Sequence, residues 1–196
     1  MRKYVLIIAV AMITFIGEAC TTKQVTRVDP NEQIDLSGRW NDTDSRLTAE
    51  AMIKQSLSEP WLENFRGSHG GEKPVVICGF VSNKSHEHID AETFIKDLEK
   101  AFVNSQVVRL VQGGEKREEI RRERADQQDF SSAETVKAWG REVGADFMLQ
   151  GTINSIVDSE GKERVNYYQV NLELTNIETN EIVWIGDKKI KKYIKN

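Results

Sequence analysis

The 196-residue chain has little of the chemistry that enzymes and metal proteins lean on: three histidines, two cysteines and three prolines. No histidine stands in a recognisable catalytic context and there is no Gly-x-Ser-x-Gly elbow, so hydrolysis has no base or nucleophile to nominate. Two cysteines cannot make a disulfide framework together with a free anchor, nor a cysteine-rich zinc site. A formal net charge of −4 gives no electrostatic case for nucleic acid. Internal repeats and low-complexity tracts are absent as well. What is present, 39% hydrophobic and 30% charged residues, suits an ordinary globule rather than a disordered chain.

The one long apolar stretch is at the start. Arg2 and Lys3 precede Tyr4 to Ile16, then come Gly17, Glu18, Ala19 and Cys20. A charged head, an apolar run and a small residue at the cut are the marks of an export signal. About 13 residues at 1.5 Å each cover roughly 20 Å, short of the roughly 30 Å needed to span a bilayer. A cysteine directly after Ala19 makes this a lipoprotein signal, although Gly17 and Glu18 depart from the usual sequence before such a cysteine. We therefore expect residues 1–19 to be a lipoprotein signal peptide and Cys20 to carry lipid. Residues 20–34 would form a flexible tether and residues 35–196 a single globular domain. Fully extended, a tether of about 15 residues reaches only some 50 Å. Thr21 and Thr22, in place of an acidic retention signal, resemble lipoproteins of the outer membrane, facing the periplasm. With Cys20 committed to lipid, Cys78 is left as a small buried hydrophobe in the apolar run 74–81.

The expected fold is α+β: helices packed on a small mixed or antiparallel sheet. A helix should start near Asp44 or Ser45, either able to cap it, and carry Ala49, Met52, Ile53, Ser56 and Leu57 on one face. Pro60 stops it, and Trp61 and Phe65 suggest one more turn. The run 74–82 reads as a strand buried on both faces. Asp90 caps a helix with the stripe Phe94, Ile95, Leu98 and Phe102, stapled by Ile89. A short strand follows near 107–111, then a charged helix over 115–126 in which Glu118 and Arg122 are spaced to pair. Ser131 and Glu134 match a capping box for a further helix with Ala133, Val136, Gly140 and Val143 on its face. Residues 147–194 form a three-strand antiparallel meander, turning at 158–161 and 178–180.

The least ordinary stretch is 35–46, where Arg39, Trp40 and Arg46 crowd among turn-formers. Trp40 serves either as a plug over the first helix or, with Arg39 and Arg46, as part of a partner-binding surface, since interface hot spots favour these residue types. This loop, Gly144-Ala145-Asp146-Phe147-Met148-Leu149-Gln150-Gly151 with Ile153, Tyr167-Tyr168-Gln169-Val170 with Leu172-Glu173-Leu174, and Glu181-Ile182-Val183-Trp184 with Lys191 together resemble the LpoB-like activators of penicillin-binding proteins. The resemblance implies an outer-membrane lipoprotein that binds a class A penicillin-binding protein, a bifunctional peptidoglycan synthase, and stimulates it without catalysis or cofactor. Better-known members of that family have a long tether; this one is short.

His86-Glu87-His88 is expected to be a polar loop rather than a metal site, because an extended backbone points Glu87 away from its neighbours. Lys188, Lys189, Lys191, Lys192 and Lys195 are expected to shield an edge strand, or else to touch an anionic partner. The rival assignment is a structural envelope lipoprotein similar to curli-secretion subunits. It would require spanning hairpins of about 9–11 residues per strand, for which the soluble-looking meander leaves little room.

Overall fold

The sequence punctuates its own helices. Asn41 has an extended backbone, and its side chain accepts the N–H of Asp44 at 2.9 Å while Asp44 reaches back to the N–H of Asn41 at 3.0 Å. This reciprocal capping box starts helix α1, Asp42–Leu57. The expected cap, Asp44 or Ser45, is thus displaced: Asn41 takes the cap and Asp44 becomes its third-position partner. Ala49, Met52, Ile53 and Ser56 are buried along α1 as the spacing predicts. Pro60 opens a nine-residue helix α2, Pro60–Ser68, where a missing N–H costs nothing.

The computed structural model describes residues 23–131 and 142–195. The expected signal peptide and Cys20 lie outside these residues, as does most of the helix expected after Ser131. The chain divides into two units, Met1–Glu32 and Gln33–Asn196. In the first, residues 23–32 hold no helix or strand, and Asp29 closes a turn by accepting the N–H groups of Asn31 and Glu32.

The second unit continues with strand β1, Val75–Lys84; helix α3, Ala91–Ser105; strand β2, Arg109–Leu110; helix α4, Gly114–Phe130; and strands β3, Phe147–Glu160, β4, Glu163–Asn176, and β5, Ile182–Lys195. They build one mixed sheet in the order β2-β1-β3-β4-β5, with β1 parallel to both neighbours and β3 to β5 antiparallel. The fold is the expected α+β, and the meander is longer than expected. Strand β3 runs through 158–160, and the turn falls on Gly161 and Lys162, with Gly161 supplying the positive φ that a two-residue hairpin needs at its first position.

One face of the sheet carries Val76, Leu149, Ile153, Tyr168, Val170, Leu172, Leu174 and Trp184 into a single core with α1, α2 and α3. Asp90 caps α3 through the N–H of Glu92, and Phe94, Leu98 and Phe102 are fully buried. The outer half of β1 does not follow expectation. A bulge between Cys78 and Val81 breaks its pairing with β3, so Val81 still enters the core while Phe80 is left 70% exposed. The charged helix also differs: α4 buries none of its residues, and Glu118 pairs with Arg121 rather than Arg122. Arg121 and Arg124 also grip Glu142.

Cys78 is half-buried beside that bulge. Burial, reinforced by the negative charge of Glu99, pushes its thiol up to about 12. Because the folded value lies above the unfolded one, the linked stability is complete below about pH 8.5 and declines as pH rises towards the folded value. Iodoacetamide at pH 8 should therefore leave native Cys78 unmodified, as read by mass spectrometry, and modify it rapidly after denaturation.

Candidate functional site

The segment 33–41 enters α1 from an exposed, irregular path, yet its backbone is held at several points by residues distant in sequence. Gly38 has φ +67°, and a Cβ there would come within 2.5 Å of Ile194, so the chain can turn so closely against β5 only at glycine. The Gly38 carbonyl accepts the side-chain amide of Asn166, a fully buried residue of β4, at 2.9 Å.

Lys192 of β5 closes the next contact. Its ammonium lies 2.6 Å from Asp35 Oδ1, 2.6 Å from Asp44 Oδ2 and 3.0 Å from the Arg39 carbonyl, so all three protons have an acceptor. The Lys192 and Asp44 side chains are only 12% and 10% exposed. Burial pulls the Lys192 pKa down, but its bonds to Asp35 and Asp44 outweigh that and hold it above the usual lysine value. The bond to Lys192 in turn holds Asp35 below the usual carboxylate range. By linkage, the Asp35 contribution is present above about pH 4 and lost as pH falls, while that of Lys192 is present below about pH 10 and lost as pH rises. The cluster is therefore intact across the neutral range.

Glu87 makes the third hold. Its Oε2 accepts the N–H of Trp40 at 3.1 Å and its Oε1 accepts the hydroxyl of Tyr168 at 2.8 Å. Burial, then the bond to Glu87, raises the Tyr168 pKa, which keeps the phenol protonated as a donor. The Trp40 indole lies edge-on to Tyr168 at 5.6 Å and to Phe94 at 6.2 Å, half-buried against the core.

The polar loop 86–88 is thus a structural tie, and its backbone brings together more than the sequence suggested. His86 Nδ1 is 2.6 Å from Ser155 Oγ, and His86 Nε2 is 3.2 Å from Glu87 Oε1. A serine, a histidine and a glutamate in line invite comparison with a hydrolytic triad. The bonding argues otherwise. Ser155 Oγ already accepts the backbone N–H of His86 at 3.0 Å, and Glu87 is occupied by Trp40 and Tyr168.

Of the three residues singled out in the loop, Arg39 is exposed, Trp40 is the plug, and Arg46 sits on α1 at 3.7 Å from Glu50. An exposed pair of this kind contributes at most about 1 kcal/mol, so Arg46 is not locked in place by it. Glu87, Lys192 and Asn166 were not foreseen. Their partners in the segment 35–44 lie 47 to 157 positions away, and the only local hint was a single glutamate in a turn-rich stretch.

Fold and site together define an α+β domain with a loop pinned beside one end of its sheet. The chain belongs to the LpoB family: the family model described as peptidoglycan-synthase activator LpoB matches residues 44–190. Solved structures that it is similar to include the LpoB C-terminal domain from Escherichia coli, at 16% identity and TM-score 0.45, covering 76% of this chain and 99% of that one. The corresponding domain from Salmonella enterica gives 15%, 0.44, 76% and 99%. The NMR structure of E. coli LpoB gives 14%, 0.41, 90% and 87%. Comparison with curated proteins gave no match.

Proposed function

We propose that this protein is an outer-membrane lipoprotein, anchored through Cys20 on the periplasmic face, that binds a class A penicillin-binding protein and stimulates its glycan-polymerising and peptide-crosslinking activities. The observation that carries the reading is the family match over 44–190. The pinned segment 35–41 and the first turn of α1 add a surface suited to docking, with Arg39 and Arg46 as the contacting residues and the half-buried Trp40 as the anchor that holds Arg39 in register.

The chain catalyses nothing in this account. An activator raises a synthase's rate if it binds the active conformation more tightly than the resting one, and the shift cannot exceed that difference in affinity. Guanidinium groups fit the task because their planar forks bind carboxylates in two places at once. Affinity capture from an envelope extract, under conditions that preserve membrane complexes, tests the partnership. The wild-type protein should recover a bifunctional synthase, and repeated recovery of none would count decisively against this function.

A further inference from the structure

Glu87 and Lys192 share one arrangement that neither needs for the fold. Each is a nearly buried charge on a different element, Glu87 in the loop after β1 and Lys192 near the end of β5; Lys192 spends all its bonds on the segment 35–44, and Glu87 gives it one oxygen while Tyr168 holds the other. The packed core does not require this. Val170, Leu172 and Leu174 of β4 meet the helices without help from residues 35–39, which are exposed or half-exposed. Residues 35–39, with so little apolar burial, would fray if held only by the Trp40 side chain that follows them. The bonds go to the two ends of one peptide group, the Arg39 carbonyl and the Trp40 N–H, directly after the one exposed arginine of the segment, so they fix where that arginine starts from.

We propose that Glu87 and Lys192 are positioning residues for docking. They clamp the backbone of residues 35–41 from two sides, so that Arg39 meets the synthase already ordered rather than being ordered on contact. This rests on the docking role given above to Arg39. Ordering a loop before binding removes its entropy from the cost of association, and the gain shows mainly as slower dissociation. Lys192 is thereby separated from the other C-terminal lysines, which remain free to shield the edge of β5.

The test uses the full chain in detergent, its Glu87→Gln, Lys192→Met and Lys192→Arg variants, and an Ile53→Val control whose altered residue lies in the core of α1. Three quantities are read: melting temperature, amide hydrogen exchange over 35–41, and dissociation rate from a purified bifunctional synthase. Glu87→Gln and Lys192→Met should each speed exchange of the segment and raise the dissociation rate by about tenfold, while Lys192→Arg stays near wild type. Ile53→Val should lower the melting temperature without changing either of the other readings, which separates positioning from general destabilisation. Unchanged exchange in both variants would overturn the clamp. Faster exchange with an unchanged dissociation rate would overturn its role in docking. If the wild-type chain itself bound no synthase, the function would fall first and the docking role with it, and that outcome is recognisable because no variant is needed to see it.

Discussion

Replacing Trp40 by alanine is expected to lower the free energy of unfolding by about 3 kcal/mol, the low end for losing a large aromatic side chain, because the indole is half rather than fully buried. In a domain of this size that corresponds to a fall of roughly 6–12 °C in melting temperature. The loss combines the apolar area uncovered with two edge-on ring contacts, to Phe94 and Tyr168, each worth about 1 kcal/mol beyond area. It also leaves Glu87 holding a backbone whose side-chain anchor is gone. Arg39→Ala is the informative companion. Arg39 is exposed and its side chain has no ion pair among the described residues, so stability should stay within about 0.5 kcal/mol of wild type. Thermal melts of the two variants therefore separate the plug from the contact. If Trp40→Ala melted with the wild type, the indole would not be the anchor described above.

The second large effect concerns location. Cys20→Ser should shift the protein from the membrane fraction to the soluble periplasm and abolish synthase stimulation in cells, while the purified variant keeps its affinity. The reason is quantitative: acyl chains contribute about 0.8 kcal/mol per buried methylene, so an anchor carrying more than one chain holds firmly and a serine holds not at all. Fractionation followed by immunoblotting reads the result. Retention of the serine variant in the membrane would remove the anchor and would leave the apolar run of residues 4–16 to be explained as something other than a cleaved signal.

The architecture was largely legible because its signals are local and periodic. Asp90 before an apolar stripe, Pro60 after α1, and alternation through Tyr168, Val170, Leu172 and Leu174 each name an element and its buried face. The misplacements have physical causes. Asn41, Asp44 and Ser45 are all good caps, and the choice among them depends on a reciprocal bond that composition does not reveal. The bulge that exposes Phe80 lies in a continuous apolar run, where strand and bulge look alike. Glu118 is spaced for either Arg121 or Arg122, and the draw of Glu142 on Arg121, from a distant segment, is not visible along the helix.

The site was legible only in part. Residues 39, 40 and 46 stood out because aromatic and guanidinium groups are unusual in a run of turn-formers. Glu87 looked like the middle of a polar loop, and Lys192 like one of five interchangeable surface lysines. What distinguishes them is the set of acceptors and donors that the sheet brings within about 3 Å. Long-range bonds of this kind are set by topology, so they follow from the fold and not from any local pattern. The same holds for Ser155 and His86, which adjoin only because β3 passes beside the loop after β1.

Stimulation is read from the rate of glycan-chain synthesis by a purified bifunctional synthase, followed with labelled lipid-linked precursor while the wild-type protein is titrated in. A saturable rise is predicted, along with a rise in crosslinking, and the Arg39→Ala, Arg46→Ala double variant should need much higher concentrations to reach it. A rate that stays flat while the complex demonstrably forms would contradict an activating role, because binding without preference for the active conformation cannot activate.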